Sequence, residues 1–196
     1  LHDALPISES ATKAIYNVLV QGNLIGALEV TPTDTGYSVF YEYRNNGRGP
    51  TINETITLNA DGLPIGWTAT GNTTFGNAVD EIFSLSDGIA SWTDSTGPGD
   101  AMVSEPSLYV PQSGSPYSLA VSARQLLADE NNEMPALPGG TPRLDTIETP
   151  EAPNAEGETA GDATYSLSGT SSNPTSFPLH GATSFALLPP TPPQSS

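Results

Sequence analysis

The residues that could do chemistry are few in this chain of 196 residues, and the histidines are the first to consider. The sequence has two histidines, His2 and His180, and no cysteine. Metal-dependent hydrolases usually need two or more imidazole ligands, and thiol catalysis needs a cysteine. His180 lies in a stretch rich in proline and serine, where no shell of side chains would orient an imidazole. We therefore predict no catalytic residue, cofactor-binding residue or metal ligand within the chain.

Carboxylates are plentiful, and four of them lie on β-prone segments: Glu42, Glu54, Asp80 and Glu81. Two carboxylates that face one cleft can act as an acid/base pair, as glycosidases require. Glu54 shares a face with Ile56 by period-two alternation and interrupts an otherwise apolar row. The sequence does not place the four side chains together, and solvated strand faces are the favoured interpretation.

The segment Asn-Asn-Gly-Arg-Gly-Pro-Thr at residues 45–51 is the most distinctive. Its glycines and proline predict a tight connection between two strands. Arg48 is one of only five basic residues. Its guanidinium can bind Glu54 or the carboxylate of a substrate, and a bridge within the domain is the favoured interpretation. The second glycine-containing segment, residues 71–76, lacks the Gly-Lys-Ser/Thr ending of a phosphate loop and predicts a wide hairpin loop.

The charge balance narrows the choice of partners. The chain has 22 acidic and 5 basic residues, a net charge of −17, and such a chain repels phosphate backbones. We predict no nucleic-acid partner. No run approaches the roughly 18 apolar residues that span a bilayer, so we predict no transmembrane segment. The composition, acidic and rich in Thr, Asn and Gly without cysteine, favours an exported bacterial protein, periplasmic or secreted.

Short β-prone runs alternate with turn signals over most of the chain and predict the fold. Parallel strands would need crossover helices that are missing here. The fold class is therefore mainly β, an antiparallel meander that forms a curved sheet or an open barrel. The predicted strands cover residues 15–21, 24–31, 37–43, 51–58, 65–70, 79–85 and 89–93.

One helix is well signalled, near residues 116–129. Ser115 suits the N-cap and Pro116 the first helical position, and an apolar stripe follows. We predict that this helix packs on the concave side of the curved sheet or covers one open end of the barrel. The β-rich domain spans residues 12–146. Residues 147–196 form a tail for which disorder and a frameshift are the two interpretations, and residues 165–169 of this tail still have the pattern of a strand.

Six aromatic residues on the predicted strands allow two interpretations. They can form the core of the domain, or they can hold an apolar or lipid-like ligand beneath the helix. Together with Arg48, three of them, Tyr41, Tyr43 and Trp67, are the candidate ligand-binding or structural residues. The full aromatic set is Tyr37, Phe40, Tyr41, Tyr43, Trp67 and Trp92.

Several separated segments resemble the N-terminal region of exported bacterial amidohydrolase-family proteins related to imidazolonepropionase. They are residues 45–51, 62–64, 71–76, 109–116 and 134–141, in that order. In that family a β-rich region precedes a metal-dependent hydrolase barrel with a His-x-His pair. The resemblance implies that the chain lacks the catalytic residues, that its partner is a downstream hydrolase domain, and that the parent uses a divalent metal such as zinc.

The first residues of the chain favour the same interpretation. Residues 1–7 resemble the translation of a sequencing adapter, so we expect residues 1–8 to be an artefact and the chain to be a fragment. The sequence thus predicts a non-catalytic N-terminal β-domain of an amidohydrolase that acts on C–N bonds. The alternatives are a free-standing envelope or periplasmic module that binds an apolar ligand and a structural or dimerisation domain.

Overall fold

A computed structural model describes residues 12–20, 23–148 and 164–170 of the chain. The predictions about residues 1–8, His2 and His180 lie outside these ranges, as does most of the predicted tail. The central element is an eight-stranded antiparallel sheet in which each strand pairs with the next in sequence and which does not close into a barrel. The predicted meander and its open form are confirmed. The strands are β1 (Ala14–Val20), β2 (Asn23–Thr33), β3 (Gly36–Tyr43), β4 (Thr51–Leu58), β5 (Pro64–Asn72), β6 (Ala78–Ser86), β7 (Ile89–Asp94) and β8 (Gly97–Met102).

Tight turns make this strand order possible. Between β6 and β7, Asp87 and Gly88 take φ values of 52° and 74°, as a two-residue turn of type I′ requires. Asn46 and Gly47 take φ values of 51° and 76° between Asn45 and Arg48, which exchange backbone hydrogen bonds. Turns of this kind favour Asn, Asp and Gly because other side chains are strained at positive φ.

Period-two alternation gives the sheet one apolar face, which we call the covered face. The opposite face exposes short polar side chains such as Thr55, Thr68 and Ser84. The buried apolar residues of the covered face form one cluster: Leu28, Val30, Val39, Ile52, Ile56, Trp67, Ala69, Val79, Phe83 and Ala90.

The helix α1 (Tyr117–Ala128) packs on this cluster through Tyr117 and Val121. Its position agrees with the predicted span. Pro116 already has the backbone angles of a helix, φ −55° and ψ −17°, as predicted for the first helical position. The hydroxyl of Ser115 accepts a hydrogen bond from the backbone N–H of Tyr117 at 3.3 Å. Ser115 therefore satisfies a donor of the first turn, as a capping side chain does.

The remaining four strands form two small two-stranded sheets. Strands β9 (Leu108–Tyr109) and β10 (Ala136–Leu137) pair in parallel, and β11 (Thr141–Glu148) pairs antiparallel with β12 (Thr164–Thr170). This second pair lies partly beyond residue 146, where the sequence predicted the end of the domain. A second apolar cluster, which includes Leu108 and Leu126, joins these elements to the helix. Within the described ranges, no helix is long and apolar enough to cross a membrane.

Candidate functional site: two buried glutamates and an arginine cleft

Two of the four carboxylates considered from sequence lie side by side on the covered face. Glu54 of β4 pairs with Ala69 of β5, and Ala69 pairs with Glu81 of β6. Both glutamates are 2 % exposed, whereas Asp80 is exposed and Glu42 is partly exposed. The interpretation as solvated strand faces is therefore wrong for Glu54 and Glu81. The same alternation that makes the face apolar also points these two carboxylates into it.

Glu81 binds the segment that leads into α1. One oxygen, Oε1, accepts the hydroxyl of Tyr109 at 2.6 Å and the backbone N–H of Gln112 at 2.9 Å. The other, Oε2, accepts the backbone N–H of Ser113 at 2.9 Å. Burying a charge is costly unless it is hydrogen-bonded. Three donors provide that compensation, and two of them are main-chain N–H groups.

Glu54 makes a similar set of bonds two residues further along the same segment. Its Oε1 accepts the indole N–H of Trp67 at 2.9 Å, and its Oε2 accepts the backbone N–H of Ser115 at 3.1 Å. Burial raises the pKa of the Glu54 carboxyl, with a further contribution from the nearby charge of Glu81, while the hydrogen bonds from Ser115 and Trp67 oppose that rise. Because the effect of burial is larger than that of the hydrogen bonds, the pKa of Glu54 lies above its ordinary value.

The segment at residues 110–116, which we call the connector, lies over both carboxylates. Gly114 lets it approach, because a Cβ added there would lie 2.5 Å from Cγ of Pro111 and 3.1 Å from Oε1 of Glu54. The phenol of Tyr109 stacks on Phe83 with ring centroids 4.0 Å apart. An acid/base pair must reach a substrate or its water, whereas the oxygens of Glu54 and Glu81 bind the protein's own donors. The pair thus anchors the connector.

A cleft of about 590 Å³ opens at another part of the sheet, between the hairpin loop that follows β3 and the loop that follows β5. We call it the arginine cleft. Its walls carry two basic side chains, several hydroxyl and amide groups, and one large aromatic ring. The lining residues are Arg44, Gly47, Arg48, Gly49, Thr51, Asn72, Thr73, Thr74, Phe75 and Gly76.

Arg44 holds the first loop together. Its Nη1 donates to the carbonyl oxygens of Tyr43, Gly49 and Pro50 at 2.8, 3.2 and 2.9 Å. Its Nη2 donates to Oγ1 of Thr51 at 2.8 Å and lies 3.5 Å from Oε1 of Glu42. The donors of a guanidinium form a rigid fork, so these bonds fix the two ends of the loop relative to each other.

Arg48 has a different role from the one that the sequence favoured. It is exposed, and Glu54 is occupied by Trp67 and Ser115 on the covered face. In the described part of the chain, no acidic side chain forms an ion pair with Arg48. The expected bridge from Arg48 to Glu54 does not form, and the guanidinium faces the cleft.

The aromatic residues considered as ligand-binding candidates lie in or beside the core. Trp67 is 1 % exposed and belongs to the main cluster, against which Tyr37, Tyr41 and Trp92 pack while partly buried. Burial raises the pKa of Tyr41 to about 12, with a smaller contribution from Tyr43.

Tyr43 lies at the cleft end of the sheet, where its hydroxyl is 3.4 Å from Oγ1 of Thr74. Phe40 is partly buried. Sequence reasoning missed Tyr109 and the connector. A glutamate in the middle of an apolar strand face was the signal that a buried acceptor needed donors.

Among the described residues, no three His, Cys, Asp or Glu side chains come close enough together to hold a metal ion. No protein family model matches the chain, and no match was found among curated proteins or solved structures.

Proposed function

We propose that this chain is the non-catalytic β-domain of a metal-dependent amidohydrolase that acts on C–N bonds. The observation that supports the proposal is that Glu54 and Glu81 hold the connector in place and do not face a substrate. These buried carboxylates are engaged by the chain's own connector, so the covered face serves to hold the domain together. The family and the reaction come from the resemblance of the separated loop segments. The zinc or similar ion of such an enzyme would be bound by histidines of the hydrolase domain.

An exposed apolar strand edge supports a role inside a larger assembly. Among the residues that the structure describes, strand β1 is the edge of the eight-stranded sheet and pairs only with β2. Ile15 and Leu19 on β1 are 45 % and 48 % exposed, and Leu24 at the start of β2 is 65 % exposed. Natural proteins rarely leave an apolar edge strand uncovered. This edge is a suitable contact surface for the neighbouring hydrolase domain.

The test is to sequence the locus with long reads, translate beyond both ends, and express the extended protein with and without residues 12–148. The proposal expects a metal-binding His-x-His motif downstream and hydrolysis of an amide or cyclic amidine by the extended protein. It also expects that residues 12–148 alone are inactive. A short open frame without such histidines, or hydrolysis by residues 12–148 alone, would overturn the proposal.

The alternative of an apolar-ligand module has less support. Its binding residues would be the aromatic side chains beneath the helix, and these fill the covered face themselves. Trp67 and Tyr109 are 1 % and 2 % exposed, with ring centroids 6.2 Å apart. A ligand would have to displace this packing, which costs several kcal/mol for each large side chain, roughly 3–5 for an aromatic one.

A further inference from the structure

We propose that the arginine cleft binds a small carboxylate that carries a flat ring, with the carboxylate on Arg48 and the ring on Phe75. The proposal does not rest on the amidohydrolase assignment, because it is argued from the charge and contacts of the cleft and not from the sequence resemblance. Its grounds are the charge of the cleft, the fixed geometry of its loops and the exposed ring on its wall.

The charge of the cleft is opposite to that of the chain. The chain carries 22 acidic and 5 basic residues, yet Arg44 and Arg48 both line this cleft. Glu42 lies beside Arg44 and offsets its charge. Arg48 has no such acidic partner in the described ranges, so it supplies the charge that an anion would meet. A guanidinium matches a carboxylate with two parallel hydrogen bonds.

The loop that presents Arg48 is held in one conformation. Asn45 and Arg48 exchange backbone hydrogen bonds of 2.7 and 3.0 Å across the two-residue turn. Arg44 ties the two ends of the loop together, as described above. Gly49 is required there, since a Cβ at this position would lie 1.8 Å from the carbonyl oxygen of Tyr43. Binding therefore needs little further ordering of the backbone, and preorganisation of this kind favours affinity.

The opposite wall is also held in place and ends in an exposed ring. Thr73 and Asn77 close this loop through a backbone hydrogen bond of 2.8 Å, and Gly76 donates to the carbonyl of Thr73 at 2.9 Å. Phe75, at the tip of the loop, is 79 % exposed. The ring on this wall and the guanidinium of Arg48 on the other offer an apolar face and a cation to one ligand in the cleft.

The cleft has the size of a small-molecule site, because its volume of about 590 Å³ lies within the roughly 300–1,000 Å³ usual for such pockets. A bare anion would use Arg48 alone. A neutral ring would use Phe75 alone. Only a ligand with both groups uses both walls, and benzoate is the simplest probe of that class.

The experiment is a ¹H–¹⁵N NMR titration of the full chain with sodium benzoate. Parallel titrations use benzyl alcohol, which lacks the charge, and inorganic phosphate, which lacks the ring. The proposal expects saturable shifts of the amides at residues 44–49 and 72–77 with benzoate. Arg48→Gln weakens this binding at least about tenfold, the factor that corresponds to about 1.4 kcal/mol.

Three variants separate the contributions. Lys13→Gln is the matched control, because Lys13, which directly precedes β1, pairs with Glu29 of β2 and does not line the cleft. It leaves benzoate binding unchanged. Phe75→Ala weakens benzoate binding several-fold but leaves phosphate binding unchanged. Arg48→Lys retains the charge without the fork and restores part of the affinity that Arg48→Gln loses.

Several results would overturn the proposal. One is the absence of saturable shifts with benzoate. Another is equal binding of benzoate by the parent chain and by Arg48→Gln. Benzyl alcohol binding as tightly as benzoate would remove the role of the cation. Phosphate binding as tightly as benzoate, without dependence on Phe75, would indicate a general anion site. Unchanged amide spectra outside the cleft show that each variant is folded, so loss of binding is interpretable.

Discussion

The connector and the arginine cleft use charged side chains in opposite ways. On the covered face, Glu54 and Glu81 are buried, and every carboxylate oxygen accepts a hydrogen bond from the protein. In the cleft, Arg44 is similarly occupied by backbone carbonyls, but Arg48 is exposed beside it. A charge satisfied by its own chain stabilises the architecture. A charge presented on a rigid loop without an acidic partner is available to a ligand.

The comparison also shows how to distinguish an anchoring carboxylate from a catalytic one. Both kinds are buried, and both can have a raised pKa. The difference lies in what the oxygens contact. In this chain they contact main-chain N–H groups of the connector, which lies between them and solvent. Loss of an anchoring carboxylate therefore affects stability first.

Replacement of Glu81 by alanine gives the largest expected effect. The hydroxyl of Tyr109 and the N–H groups of Gln112 and Ser113 lose their acceptor. A buried donor that loses its acceptor costs roughly 1–3 kcal/mol, so the loss of the acceptor of three donors is expected to cost at least about 3 kcal/mol. Urea unfolding followed by tryptophan fluorescence measures the loss. Asp80→Ala, next to it but exposed, is the control and changes stability by less than about 0.5 kcal/mol. Equal effects of the two variants would show that Glu81 does not hold the connector.

Gly114→Ala changes the connector itself and leaves both glutamates in place. The added Cβ would lie 2.5 Å from Cγ of Pro111, within the connector, and 3.1 Å from Oε1 of Glu54, so the connector must rearrange above that carboxylate. Such overpacking costs typically about 1–3 kcal/mol. Ser113→Ala serves as the control, because it retains the backbone N–H that Glu81 accepts, and it is expected to unfold at nearly the parent urea concentration. Unchanged stability of Gly114→Ala would mean that the connector tolerates displacement.

The pH dependence of stability should depend on Glu54. Burial raises its pKa above the ordinary 4.5. A group whose pKa is raised on folding stabilises the protein below its ordinary pKa, and this contribution is lost as the pH rises through the raised value. The free energy of unfolding of the parent minus that of Glu54→Gln should therefore fall as the pH rises from 4.5 towards neutrality. Urea unfolding of both proteins over that range measures the difference. A flat or rising difference would contradict the assigned shift.

The two cleft arginines provide the smallest expected effects. Arg44→Gln removes bonds to three backbone carbonyls and should cost about 1 kcal/mol, because these bonds are partly exposed to solvent. Arg48→Gln should change stability by less than about 0.5 kcal/mol. Thermal unfolding of both variants under the same conditions tests the contrast. A larger loss for Arg48→Gln would show that Arg48 is structural.

Local patterns predicted most of the fold. The seven strands expected from alternation and turn residues are all present, and the helix begins and ends within about one residue of the expected limits. Strands β8, β9, β10 and β11 were not predicted. Strand β8 was missed because its sequence Gly-Pro-Gly-Asp-Ala-Met has little β propensity. It forms because β7 provides a paired edge, and Trp92 lies over Gly99, whose added Cβ would be 2.5 Å from the indole ring.

The sequence by itself determined the strands, their two faces and the tight turns, because these depend on side chains a few residues apart. Only the tertiary structure decided which charges are satisfied. Glu81 accepts a hydrogen bond from Ser113, 32 residues away in sequence, and Glu54 accepts one from Ser115, 61 residues away. These hydrogen bonds depend on strand register and on the path of the connector, which no local sequence pattern encodes. The same long-range geometry occupies Glu54 and leaves Arg48 facing an open cleft.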